Sequence, residues 1–466
     1  MPSQKQKSAL RRLRTTYLHG HRKLLLLTLG AVLLIGGTFV ALALRGQFVQ
    51  LGVDFSDIKK RVDPTDIGIG VSTYGANALM NETQRNIEHQ LDARHVRIPV
   101  GYRDGKVTSS ATGGSTDLDI PALVALYRDW GYSVMITLGD RTNDADIQPG
   151  DAAAIIRALG TEPGISYSAP NEMGNLGKST REQIDTARMI VREGKAIDSG
   201  FKLWGPVDAY YDRDNIKAFA RALGDDLAGI SYHHYGMGET SLSTATAMEQ
   251  TSAYVREITD IKADMTALGR DVPVRVDELN FSWRVDDGTP GGNDRFFTAT
   301  NTVWIASALG HILTAGGQGL PYATQAGALG MMIEPGEFNP DSRPASSPMP
   351  GYWGIAAYTG GGIWPHFKDS IYASTSSDTT SEIIALNNEA GGHNVVAINK
   401  SEHSKTTELR LEGISEGTYQ LYQSNPKHPY DAPKLLRETE YTPDQPVIFT
   451  MPAQSISILV VSPSPR

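Results

Sequence analysis

The chain has 466 residues, 40% of them hydrophobic and 20% charged. That is room for about three units of ~150 residues, or for one large α/β barrel with an appendage, and the composition excludes wholesale disorder. With no cysteine, disulfide frameworks, thiolate metal sites, iron–sulfur clusters and cysteine nucleophiles are all removed. The formal charge of −9 is unevenly spread. Residues 1–45 hold eight Lys or Arg and no acidic residue, so the body beyond them is strongly acidic and a poor partner for nucleic acid.

In chain order, residues 1–23 form a basic segment with Lys5, Lys7, Arg11, Arg12, Arg14, Arg22 and Lys23. An uncharged run of 21 residues, Leu24–Leu44, follows between Lys23 and Arg45. It is long enough to cross a bilayer as a helix. The Lys/Arg bias places residues 1–23 in the cytoplasm and everything after Arg45 outside. The competing reading is a signal peptide cleaved near Ala41-Leu42-Ala43, although the apolar run exceeds the ~7–15 residues usual for one. Under either reading the body is exported. Residues 45–66 read as a linker.

From residue 67 strand-like and helix-like segments alternate. Strands are expected at Ile67–Ser72, His95–Val100, Tyr132–Leu138, Ile165–Ala169, Lys202–Val207, Gly229–His234, Val272–Asp277 and Gly319–Tyr322. Helices are expected at Glu82–Ala93, Ile120–Trp130, Asp151–Leu159, Arg181–Ile197, Asn215–Leu223, Ala247–Leu268, Phe296–Ala315 and Tyr352–Tyr358. Eight such pairs predict an α/β fold, a closed (β/α)8 TIM barrel over residues 67–365. From about His366 the texture changes to short alternating runs separated by turn residues. These include Glu382–Ala385, Asn394–Ile398, Thr407–Leu411, Gly417–Tyr422, Val447–Thr450 and Ser455–Val461. They predict a C-terminal all-β sandwich over residues 366–466.

In such a barrel the working residues sit at the C-terminal ends of the strands. That rule reduces 52 acidic residues to a few: Asp140 after the third strand, Glu172 after the fourth and Glu278 after the seventh. Strands four and seven face each other across the mouth, so Glu172 and Glu278 can converge on one bound group. A carboxylate pair ~5–5.5 Å apart suits retaining glycoside hydrolysis, with one carboxyl protonated to donate and the other ionised to attack. His233 and Tyr235 are two apart on a strand and point the same way, into the barrel. Tyr74, Tyr102, Tyr210, Tyr211, Trp283 and Tyr322 lie near strand ends and are candidates for sugar stacking, Trp283 foremost. Gly413-Ile414-Ser415-Glu416-Gly417 matches a nucleophile elbow in letters but falls in a turn between sandwich strands, where that device does not work. No HExxH or Walker sequence occurs, and no metal or organic cofactor is expected.

These elements resemble the retaining glycosidases of the large (β/α)8 clan in which acid/base and nucleophile follow strands four and seven. The matching elements are Val96-Arg97-Ile98-Pro99, Asn171-Glu172, His233-His234-Tyr235 and Glu278. Within the clan the chain is similar to glycoside hydrolase family 79, the heparanase and β-glucuronidase group, and to family 39. The segments Ser231–Gly236, Pro348–Gly362 and Met451–Ser457 support that. The resemblance implies that Glu172 is the acid/base, Glu278 the nucleophile, and Asn171 a ligand of the sugar 2-hydroxyl. It implies that Arg97 and Tyr235 hold Glu278 ionised, with His233 supporting; from their places near strand ends, Asp140, Trp283 and Tyr322 are expected to bind substrate. One departure is Met173-Gly174 after Glu172, where the related enzymes commonly have proline. The expected protein is a membrane-anchored, outward-facing retaining β-glycosidase for a polysaccharide or glycoconjugate, with a β-glucuronide suggested by the resemblance alone. The alternative is a catalytically inactive cell-surface carbohydrate-binding or scaffold protein.

Overall fold

The computed structural model describes residues 48–71, 82–109, 119–139, 147–237, 242–284, 294–322, 329–333, 343–344, 346–443 and 445–464. The chain builds two β sheets. In the first, β2 (Ile69–Gly70), β3 (His95–Arg103), β5 (Ser133–Leu138), β6 (Ile165–Ser168), β7 (Leu203–Asp208), β8 (Leu227–Tyr235), β9 (Val274–Asn280) and β10 (Gln318–Pro321) pair in parallel and in chain order. A parallel bridge between Ile67 and Gly319 joins the last strand to the first, with the Gly68 N–H donating to Gly319 O at 3.1 Å. The eight expected strands therefore close on themselves. A short extra strand, β4 (Lys106–Ser109), extends β3 as an antiparallel hairpin.

Alternation along each strand sends one set of residues to the helices and the other inward. Val96, Ile98 and Val100 of β3 join the apolar core shared with the helices, whereas His95 and Arg97 turn the other way and are equally buried. The barrel interior is accordingly polar in layers. Low in it the Arg275 guanidinium lies 4.0 Å over the Trp204 ring and donates to Gln318 Oε1 at 2.9 Å. Burial lowers that guanidinium to a pKa of about 10, with Asp277 and Asp66 opposing the shift. Gly229 is opposite Trp204, and a Cβ there would come within 2.3 Å of the indole, so only glycine lets the ring lie flat. Above sit Arg97, Thr137, Ser168, His233 and Asp277, all buried.

Two expectations are corrected. The helix expected over Ala247–Leu268 is two helices, Thr244–Gln250 and Ala253–Ala267. At the break Thr251 Oγ1 donates to Met248 O and Ser252 Oγ to Glu249 O, so side chains take up carbonyls at the end of the first helix. The linker expected at 45–66 contains instead a 14-residue strand, β1 (Phe48–Arg61), whose buried Val49, Leu51, Val53 and Phe55 alternate with more exposed residues. That period-2 pattern was present in the sequence and marks a half-buried strand.

β1 belongs to the second sheet, with β11 (Phe367–Ser376), β12 (Ser381–Asn388), β13 (His393–Asn399), β14 (Lys405–Glu412), β15 (Gly417–Gln423), β16 (Lys434–Tyr441), β17 (Val447–Met451) and β18 (Ser455–Pro463). Their order is β16-β15-β18-β13-β12-β11-β1-β14-β17, one hydrogen-bonded path of nine strands where separate sandwich sheets were expected. Val396, Ile398, Ile456, Ile458 and Val460 join the core of the barrel helices Ala299–Ala315 and Pro350–Thr359. Each such aliphatic removed from water contributes about 1.5–3 kcal/mol. Among the described residues no helix is long and apolar enough to cross a membrane, and the span expected at Leu24–Leu44 lies outside them.

Candidate active site

The fourth and seventh barrel strands, β6 and β9, carry Asn171-Glu172 and Asp277-Glu278 to the same mouth. Glu172, Glu278 and His233 each offer a ligand atom within 4.8 Å of the others, and all three residues are buried. Glu172 takes a left-handed conformation (φ 46°, ψ 44°), unusual for a residue with a side chain. Its N–H donates to Val207 O at 3.0 Å, and Val207 is itself at φ 65°. Two backbone outliers on adjacent strand ends thus hold each other where Glu172 turns inward.

The seventh strand uses a different device. Against β8 the register runs Tyr232 with Val276 and then His233 with Glu278, so Asp277 is an extra residue in β9. Strict alternation would send one of Asp277 and Glu278 outward. The bulge lets both face the interior.

Arg97 organises the floor. Its Nη1 donates to Glu278 Oε1 at 2.6 Å, its Nη2 donates to Asn171 Oδ1, and its Nε lies 3.2 Å from Asp277 Oδ2. That last pair is close enough for charge attraction but not aligned as a hydrogen bond. Tyr235 Oη donates to the other oxygen of Glu278 at 2.8 Å. Asn175 Nδ2 donates to Glu172 Oε2 at 3.1 Å, and His233 Nδ1 sits 2.8 Å from Glu172 Oε1 and 3.4 Å from Glu278 Oε2. Burial disfavours charge on His233, but Glu278, Glu172 and Asp277 together outweigh it and raise its pKa. Burial likewise raises the Tyr235 phenol well above its ordinary value, with Glu278 adding to the effect, so Tyr235 stays a donor. Burial lifts Asp208, at the end of β7, to about 6 although Asn215 Nδ2 donates to both of its oxygens.

The two glutamates are bonded differently. Glu278 receives one bond from a permanent cation and one from a phenol, so each of its oxygens is held by a donor. Glu172 faces an imidazole and a neutral amide, partners that accommodate a proton entering or leaving. Glu172, His233 and Glu278 have the donor types of a cation site. However, the Arg97 guanidinium already supplies positive charge at Glu278, and a metal there would compete with it.

Of the residues expected to support the site, Asn171, Arg97, His233 and Tyr235 all converge on the glutamates. Tyr322 is half-buried beside Gly70 at the mouth. Trp283 is 48% exposed, with the Arg284 guanidinium 4.6 Å over its ring. Tyr210 is exposed, whereas Tyr211 packs against Tyr232. Asp140 and Tyr74 lie outside the described residues. Beside Asn171 a cavity of about 310 Å³ opens between Pro170, Met173, Leu176 and Lys178. Sequence reasoning missed Asn175 and Asp277. Only the Asp-Glu doublet at a strand end hinted at the latter.

No protein-family model matches the sequence, and no curated protein matches it. Solved structures do share the fold. A family 51 arabinofuranosidase from Xanthomonas axonopodis pv. citri superposes with a TM-score of 0.68 at 15% identity, covering 89% of this chain and 100% of its own. CelM2, a bifunctional glucanase-xylanase from a metagenome library, gives 0.64 at 14%, covering 90% and 99%. A Paenibacillus polymyxa xyloglucanase of family 44 gives 0.64 at 11%, covering 89% and 100%. The barrel and the second sheet therefore belong together as one architecture. The xyloglucanase is of family 44 and the arabinofuranosidase of family 51, and the resemblance to families 79 and 39 rests on the sequence alone.

Proposed function

We propose that this chain is a retaining glycoside hydrolase acting on a polysaccharide or glycoconjugate. The observation that carries this reading is the convergence, within 4.8 Å, of Glu172 and Glu278 from the fourth and seventh barrel strands, with unequal surroundings. Glu278 attacks the anomeric carbon while Glu172 protonates the departing oxygen. Glu172 then deprotonates the water that releases the sugar. Asn171, oriented by Arg97, is placed to bind the hydroxyl next to the anomeric centre. Exposed Trp283 and Tyr210 offer rings for stacking further units. Support for a polysaccharide comes from the neighbours sharing the fold, which include a xyloglucanase and a glucanase-xylanase. A β-glucuronide preference and membership of family 79 or 39 rest on the short sequence resemblances alone. Leu24–Leu44 is proposed as the anchor that holds the body outside the membrane.

The test is turnover of a panel of aryl glycosides by residues 46–466, with the product anomer followed by NMR. Retention is expected. Inversion would refute the nucleophile role of Glu278, because inverting enzymes keep their carboxyls ~6.5–9.5 Å apart to admit water. Glycan binding without turnover of any substrate would favour the inactive binding protein.

A further inference from the structure

Behind the two glutamates lies a second row of buried groups. Asp277 is fully buried, and among the described residues neither of its oxygens takes a hydrogen bond. Arg97 Nε lies 3.2 Å from one oxygen and His233 Nε2 lies 3.6 Å from the other. His233 Nε2 and Arg97 Nε, both buried, also lack hydrogen bonds there. A buried carboxylate that takes no hydrogen bond is costly even with Arg97 Nε beside it, and burial raises the Asp277 carboxyl, so a proton on the facing imidazole nitrogen offsets part of that cost. On the opposite side of the same ring Nδ1 is 2.8 Å from Glu172 Oε1. The groups facing His233 are thus Glu172 from beyond β6, Asp277 and Glu278 from β9, and Asp208 from β7, with Arg97 of β3 behind Asp277.

We infer that Asp277 is a positioning residue that keeps a proton on His233 Nε2 and so makes Nδ1 the partner that stores the catalytic proton of Glu172. The inference deepens the glycosidase reading and rests on it for the reaction steps. With Nε2–H directed at Asp277, a second proton lies on the short line between Nδ1 and Glu172 Oε1. It passes from Glu172 to the glycosidic oxygen as the bond to the anomeric carbon breaks and Glu278 bonds to that carbon. Glu172 is then a carboxylate and His233 neutral, still protonated on Nε2. When water attacks the glycosyl–Glu278 ester, its proton goes to Glu172 Oε1 and its hydroxyl to the sugar. Glu278 leaves as carboxylate, and the starting state is restored. The Glu278 oxygen nearest this proton, Oε2, already accepts from Tyr235 Oη, while Arg97 holds Oε1.

The test compares the full chain with Asp277→Asn and Asp277→Glu. In the Asn variant the alkaline limb of kcat/KM should move to lower pH by roughly one to three units, the size of shift a close opposite charge produces. This should hold for substrates whose leaving group needs a proton. Dinitrophenyl glycosides, which need none, should show no such displacement of the limb, and Asp277→Glu should return the limb toward its parental position. Histidine-labelled ¹⁵N NMR of the unmodified chain should show His233 protonated on Nε2 across the neutral range. That signal needs no turnover and no variant. A neutral His233 carrying its proton on Nδ1 would overturn the inference even if Asp277→Asn failed to fold. An unchanged pH limb would also overturn it, as would an equal loss on every substrate, which would mean that Asp277 serves Arg97 and Glu278 instead. Absence of glycosidase activity in the parent would refute the functional reading separately, leaving the NMR result to decide the His233 protonation.

Discussion

At the scale of single residues, the differing partners of Glu278 and Glu172 predict variants that differ in kind. Glu278→Ala removes the group bonded by Arg97 and Tyr235 and should abolish turnover of every substrate. Azide filling the space should restore some activity, with inverted product. Glu172→Ala removes only proton transfer, worth about 10²–10⁴-fold. It should spare kcat/KM on dinitrophenyl glycosides, whose departure needs no proton, while slowing release of the sugar, a step that azide should rescue with retained configuration. Steady-state rates and the anomer of each azide adduct check both. Near-normal kinetics for both variants would mean that the convergence is structural.

At the scale of elements, the seam between barrel and second sheet is pinned by one carboxylate. Glu382 on β12 accepts from Ser307 Oγ at 2.6 Å, lies 3.0 Å from His311 Nε2 on the helix Ala299–Ala315, and pairs with Lys400. Lys400 in turn donates to Met248 O at 3.3 Å, reaching a second barrel helix. Burial pushes the Glu382 carboxyl up, but His311 and Lys400 outweigh it and bring it down from 4.5 to about 2. A carboxyl whose folded pKa is depressed stabilises the fold above its unfolded pKa and loses that contribution as pH falls toward the folded one. The contribution is roughly 3 kcal/mol, lost between about pH 4.5 and 2. Glu382→Gln should therefore cost about 2–4 kcal/mol in urea unfolding at neutral pH, because Lys400 stays buried without its counter-charge. The difference from the parent should shrink as the pH falls through that window.

At the scale of the whole molecule, the first and last described strands, β1 and β18, lie in one sheet. β1 lies between β11 and β14, so removing it detaches β14 and β17 from the rest. A fragment beginning at residue 67 keeps every barrel strand, but should be insoluble or unfold at a much lower temperature than 46–466. Calorimetry of the two forms checks this, and equal stability would show the N-terminal strand to be dispensable. The proposed anchor predicts that the mature protein stays with membranes through a high-salt wash. Recovery of a soluble exported form beginning near Leu44 would favour signal cleavage.

Periodicity alone determined the eight barrel strands, most of their helices and six strands of the second sheet, because each has a face or a run that must leave water. The rule that barrel chemistry gathers at strand ends was enough to isolate Asn171, Glu172 and Glu278, and the inward alternation of β8 marked His233 and Tyr235. Other features were not legible in the same way. β16 is exposed along nearly its whole length and has no apolar alternation to betray it. β1 has that alternation, yet its place in a sheet depends on partners more than 300 residues away. The break at Thr251-Ser252 depends on side chains taking helix carbonyls. Asp277 is the clearest case. By alternation it and Glu278 cannot both face inward, and only the register slip against β8 turns both into the barrel. A bulge is a property of two paired strands, so it is decided by the tertiary structure and not by either segment alone.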